Sequence, residues 1–135
     1  MMPAPNSAAL LLLLLLPGTL TGNTDSVPIQ VEVQNPIDKI PPVTYSTHVV
    51  YRGILLGAMK TLMASNSDFK FTFTEDPNYG PYLHSVNGVA GNKEKHTYWE
   101  LLVQSPNGKI TRPNVGIGCY IPNANETIIL RFGEW

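Results

Sequence analysis

Gly53-Ile-Leu-Leu-Gly-Ala-Met-Lys-Thr-Leu-Met-Ala-Ser65, followed three residues later by Phe69-Lys-Phe-Thr-Phe-Thr74, is the stretch that decides the fold. In the first half Leu55, Leu56, Met59, Leu62 and Met63 fall on one stripe of a 3.6-residue period, which predicts an amphipathic helix from Gly53 to about Ser65. Asn66 and Ser67 stop it, and the period then drops to two: aromatic and polar residues alternate through Thr74, the mark of a half-buried strand. The Met and Leu stripe reads as core packing. One helix set directly before a strand needs a sheet to cover.

Working outward, the flanks supply that sheet. Upstream, Ile29 to Gln34 alternates apolar with polar, and Val43 to Tyr51 is β-branched and aromatic, so two strands precede the helix. Asn23 to Pro28 reads as a flexible lead-in and Asn35 to Pro42 as a turn-rich connection. Downstream, further strands are predicted at Tyr82–Val86, Thr97–Val103, Val115–Ile121 and Thr127–Phe132. They are separated by turn residues at Asp76–Pro81, Asn87-Gly88, Ser105–Gly108 and Pro122–Asn125. Two strands, one helix and about five more strands predict an α+β fold, with mostly antiparallel β-sheets and one packed helix, β-grasp-like in arrangement.

Composition narrows the function. The chain has 135 residues, a length for one domain, and a formal net charge of -1. Without a basic excess, nucleic acid is not an expected partner. Ala8 to Leu16 is an apolar run holding the leucines Leu10 to Leu16, ended by Pro17-Gly18 and small residues. It reads as a secretory signal peptide spanning 1–22, too short to cross a bilayer as a helix. The expected organisation is therefore a signal at 1–22, a lead-in with one strand at 23–41 and a β domain at 42–135, secreted and without a membrane span. Asn125-Glu126-Thr127 is a glycosylation sequon in a turn, which suits that compartment.

Catalytic and metal chemistry are thinly represented. Glu75 and Asp76 are the adjacent carboxylates, in a turn, and read as solvated charges. There is no nucleophile elbow, HExxH or phosphate loop. His48, His84 and His96 lack metal-ligand spacing, and Cys119 is the single cysteine. That thiol is expected to be buried in a strand, with an intermolecular disulfide as the alternative. Tyr79, Tyr82, Leu83, Tyr98, Trp99, Leu101 and Leu102 flank two Gly/Asn turns, and are either ordinary core or a platform for a large flat ligand.

Four segments carry a resemblance. Gly80-Pro-Tyr-Leu-His-Ser-Val-Asn-Gly88, Thr97-Tyr-Trp-Glu-Leu-Leu102, Gly116-Ile-Gly-Cys-Tyr-Ile-Pro122 and Glu126-Thr-Ile-Ile-Leu-Arg-Phe132 stand in an order and spacing that resembles the C-terminal β domain of the cobalamin carriers, the transcobalamin, intrinsic factor and haptocorrin family. The resemblance runs from about Pro42 to Trp135. It implies a stand-alone, non-enzymatic domain that covers one face of cobalamin or a related corrinoid, bound as a ligand and not as a catalytic cofactor. The alternative is an interaction module of the same fold that docks a separate α-domain-type protein, a receptor or an unrelated protein. Carried over by position, the implied cobalamin-binding residues are Tyr82, Leu83, His84, Ser85 and Val86, then Trp99 and Leu101, then Pro113 and Asn114. Trp99 is either wall or core beneath the site. Strand alternation places His84 opposite Leu83 and Ser85, away from the ring, so no metal ligand is expected. Glu100 and Cys119 stand where the family usually has Gln and an acidic residue, and the hairpin between Leu102 and Gly116 is longer.

Overall fold

The computed structural model describes residues 26–78 and 80–135, so the apolar run at 8–16 and Tyr79 lie outside the described residues. The elements are β1 (Ser26–Asn35), β2 (Ile40–Val50), α1 (Leu55–Ser65), β3 (Phe71–Asp76), β4 (Gly80–Val86), β5 (Val89–Ala90), β6 (Thr97–Gln104), β7 (Ile110–Thr111) and β8 (Thr127–Glu134). Five strands form one sheet in the order β2-β1-β8-β6-β7, and three form a second in the order β3-β4-β5. All pairings are antiparallel except that of β1 with β8, the first strand beside the last, as in a β-grasp arrangement.

Alternation builds the core. Ile29, Val31 and Val33 of β1 turn inward together with Tyr45 and Val49 of β2 and Ile128, Leu130 and Phe132 of β8. The register makes these neighbours: Val31 stands opposite both Tyr45 and Ile128. The helix lays Leu55, Leu56, Met59 and Leu62 on this surface beside Phe69 and Phe71, leaving Met63 at the exposed margin of its stripe. Phe69 is fully buried, with its ring 5.2 Å from Tyr45 edge-on and 5.8 Å from Phe71. Asn87 and Gly88 both take positive φ, 49° and 85°, in the tight turn that joins β4 to β5.

Three sequence expectations change here. The lead-in is partly strand, since β1 starts at Ser26, and β2 starts at Ile40 and runs through Pro41-Pro42. Those prolines are tolerated because β2 is an edge strand and its register with β1 shifts between Val33 and Asn35, which leaves Pro41 and Pro42 without ladder partners. Val115–Ile121 is not a strand: the backbone turns, with Cys119 N–H and Tyr120 N–H both donating to Gly116 O at 3.1 and 3.0 Å. The cause is α1. Ile54 offers no side-chain cap, so the first helical amides need other acceptors. Leu55 N–H donates to Tyr120 O at 2.8 Å and Leu56 N–H to Ile117 O at 2.9 Å. Ile117 is buried, as a strand residue would be, but under the helix start.

The same turn overturns the expectation for Cys119, which is exposed. A thiol reagent is therefore expected to label Cys119 in the native chain nearly as fast as in denaturant. Protection of more than about tenfold in a timed labelling series, which would require local opening before reaction, contradicts this.

Candidate functional site

Three distant segments meet at one groove. The start of β4 supplies Pro81, Tyr82 and Leu83, β6 supplies Tyr98 to Leu101, and the loop after β7 supplies Arg112, Pro113, Val115, Gly116 and Ile117. Its volume is about 230 Å³. A second and larger groove, about 690 Å³, opens on the other side of Tyr82, Leu83 and Tyr98, and is completed by His84, Gly91, Asn92, Lys93, Thr97 and Trp135. Tyr82 and Tyr98 thus form a ridge between two mostly apolar depressions, with Tyr82 half exposed.

Close backbone approach holds the ridge. A Cβ on Gly118 would come 2.7 and 2.8 Å from the Pro81 ring, so only glycine lets the Gly116–Tyr120 turn press against β4. On the other flank Arg112 forms an ion pair with Glu100, whose side chain is largely buried. The Tyr98 hydroxyl, then the Glu100 charge, hold the guanidinium above its usual pKa. This network ties the segment after β7 back to β6 and gives the apolar groove one charged wall. Glu100, which stands where the resemblance leads one to expect Gln, is accounted for by that pairing.

Five of the residues named from sequence, Tyr82, Leu83, Trp99, Leu101 and Pro113, line the smaller groove. His84 lines the larger one. Trp99 lies mostly beneath the surface, 5% exposed, with its ring 5.0 Å from Phe132 and its Nε1 donating to Val89 O at 2.8 Å. Val86 is fully buried, so its side chain belongs to the core. Ser85 shares its hydroxyl with Thr72 at 2.6 Å, and Asn114 is exposed outside both grooves.

Strict alternation fails in β4. Thr72 pairs with Ser85 but Phe73 pairs with Leu83, so His84 is an extra residue without a partner across the ladder. This bulge resets the phase: Leu83 and Val86 are both buried, and His84 points outward. Pro81, Arg112 and Trp135 were not legible as groove residues. Arg112 is a lone charge after a turn, and Trp135 joins through its N–H, which donates to His96 O at 2.9 Å, and through ring contacts with His96 and Tyr98 at 5.1 and 5.9 Å.

Beside the Gly116–Tyr120 turn lies a buried carboxylate. Glu126 Oε1 accepts from the Tyr120 hydroxyl at 2.7 Å and from Asn123 N–H at 2.9 Å, and Oε2 accepts from Asn123 Nδ2 at 3.2 Å. Burial, then the bond to Glu126, raises the Tyr120 pKa well above its usual value. Among the described residues no group of three or more His, Cys, Asp or Glu is placed to hold a metal ion, and no helix is long and apolar enough to cross a membrane.

A family model described as a domain of unknown function, DUF4430, matches residues 55–134, which include the helix and both groove-forming strands. The chain belongs to this family. Cobalamin binding intrinsic factor of Mus musculus is 32% identical over 99 residues, 73% of this chain and 22% of that protein. Transcobalamin-1 of Sus scrofa is 41% identical over 61 residues, 44% of this chain and 14% of that protein. The chain thus spans about a fifth or less of the length of these relatives. Its fold matches part of haptocorrin solved in complex with Cbi, with a TM-score of 0.69 at 22% identity over 82% of this chain and 25% of that one. A candidate metal binding protein of Ruminococcus gnavus gives a TM-score of 0.53 at 16% identity, over 81% of this chain and 98% of that one. At these identities the two structures speak for the fold alone. The DUF4430 chain accordingly resembles the C-terminal domain of the cobalamin carriers in sequence and in fold.

Proposed function

We propose that this chain is a secreted corrinoid-binding domain that lies against one face of a corrin ring and catalyses no reaction. The observation that carries the reading is the gathering of Tyr82, Leu83, Trp99, Leu101 and Pro113 around one groove in a chain related to cobalamin binding intrinsic factor. The apolar floor suits the ring, while Tyr98, Glu100 and Arg112 suit the amide side chains that surround it. Asn125 is exposed, with φ 66°, in the turn before β8, a position open to a sugar. Export and modification at Asn125 belong to the same reading, and the intact mass of chain recovered from animal-cell medium tests them.

One ring face sets the affinity. Removing roughly 200–300 Å² of apolar surface from water gives about 5–8 kcal/mol, and association costs on the order of 4–15 kcal/mol. Binding is therefore expected at about micromolar Kd or weaker, and it tightens when a separate α-type partner covers the other face. Titration of cyanocobalamin, followed by its visible absorbance, is the test. Tyr82→Ala with Leu101→Asp is expected to weaken binding at least about tenfold, a loss near 1.4 kcal/mol. His84→Ala is expected to leave both affinity and cobalt spectrum unchanged. No saturable spectral change at millimolar chain rejects the reading, and equal binding by all variants moves the site away from this groove.

A further inference from the structure

We infer that the open edge of β2 is a self-association surface, where a second copy of this chain adds its own β2 antiparallel and joins two five-stranded sheets into one. This goes beyond corrinoid binding and does not rest on it.

β2 closes its sheet on one side: it pairs with β1 alone. In any strand every second residue turns its N–H and C=O to each side, so half of the β2 peptide groups face away from β1. Among the described residues, the other backbone bond made by β2 runs from Gly53 N–H to Val50 O at 2.7 Å. Apart from Val50 O, the edge is thus a row of donors and acceptors with no backbone partner among the described residues.

Proteins usually guard such rows with charge. The edge of the smaller sheet is guarded: β3 ends in Glu75-Asp76 and follows Lys70. Ile40 to Tyr51 contains no Asp, Glu, Lys or Arg, and Val43 to Val50 is rich in β-branched residues. Pro41-Pro42 confines the usable run to Val43–Val50.

A second copy fits this edge better than an unrelated strand. A two-fold axis perpendicular to the sheet, at Ser46 or Thr47, keeps both inner faces on one side and brings each end of β2 beside the opposite end of its mate. With the axis at Thr47, Val43 of each copy stands opposite Tyr51 of the other on the same face of the joined sheet, and both are exposed apolar groups. The arrangement also sets the two copies of α1 side by side. Lys60 reaches over Phe73 at 5.3 Å and so marks the flank of α1 that faces β3. The far flank carries Thr61 and Ser65, small, uncharged and exposed, each with its hydroxyl bonded back to its own helix. Helices pack at about 8–10 Å when such side chains meet. The pairing is isologous and uses up the β2 edge of both copies, so association through it closes at two copies.

Sedimentation equilibrium of the full chain tests this. The chain is expected to pass from monomer to dimer with half-association on the order of tens of micromolar. Ser46 and His48 are exposed, and with either residue on the axis Ser46→Lys with His48→Lys sets new lysines against one another. That variant is expected to dimerise at least about tenfold more weakly, while Thr74→Lys on the guarded β3 edge leaves dimerisation unchanged. Hydrogen exchange provides a readout without mutation: amides of Val43–Val50 slow with rising concentration, and those of β3 do not. A chain that stays monomeric at several hundred micromolar, unchanged dimerisation in the β2 variant, equal weakening in both variants, or exchange in β2 independent of concentration each overturns the inference.

Discussion

Trp99→Ala is expected to destabilise the chain by about 3–5 kcal/mol, the usual range for emptying a buried aromatic site. The indole is 5% exposed and packs on Phe132, which stands directly opposite it on β8. Its Nε1 donates to Val89 O in the smaller sheet, so it also links the two sheets. Trp99→Phe keeps a ring against Phe132 but leaves that carbonyl without its donor, and is expected to cost about 1–3 kcal/mol. Denaturant midpoints measure both. A loss under about 1 kcal/mol for Trp99→Ala, with ligand binding alone affected, makes Trp99 a contact on the groove surface and not its support.

Glu126→Ala is expected to cost about 2–4 kcal/mol, because it strips a buried carboxylate from three donors at once and leaves Asn123 N–H and the Tyr120 hydroxyl unpaired. The damage extends to α1, since Tyr120 O holds the first helical amide at Leu55. Glu126→Gln retains acceptor oxygen and is expected to lose about half as much. The partner phenol makes stability depend on pH. Its pKa is raised in the folded chain, so its contribution is complete below the unfolded value of about 10 and is lost as pH rises beyond it. Stability is therefore expected to fall above about pH 10, less steeply in Tyr120→Phe, when denaturant midpoints are followed upward in pH. Identical slopes in the two chains would remove Tyr120 from this account.

Much of the fold was legible because it is written in consecutive residues. The stripe from Leu55 to Leu62 is a helix face, the alternation in β1 selects the inward Ile29, Val31 and Val33, and Asn87-Gly88 takes the positive φ pair that its turn requires. The candidate site was legible only in part. Tyr82, Leu83, Trp99, Leu101 and Pro113 came through the resemblance, and the structure gathers them; Arg112 and Pro81 carry no local mark that sets them on a groove. Val115–Ile121 misled for a definite reason. Its β-branched and apolar residues satisfy the local preference for a strand, but the uncapped start of α1 needs the carbonyls of Ile117 and Tyr120, and that demand comes from some sixty residues away in sequence.

By itself the sequence determined the helix, most of the longer strands and the apolar side of the helix and of β1, because side-chain period is a property of neighbours along the chain. Tertiary structure alone decided the rest. It set β1 between β2 and β8, turned Cys119 outward and buried Val86 through the bulge at His84. It also brought β4, β6 and the Arg112–Ile117 loop to one groove. Each of these depends on which backbone groups and surfaces stay unsatisfied until a distant segment arrives, and no local pattern records that.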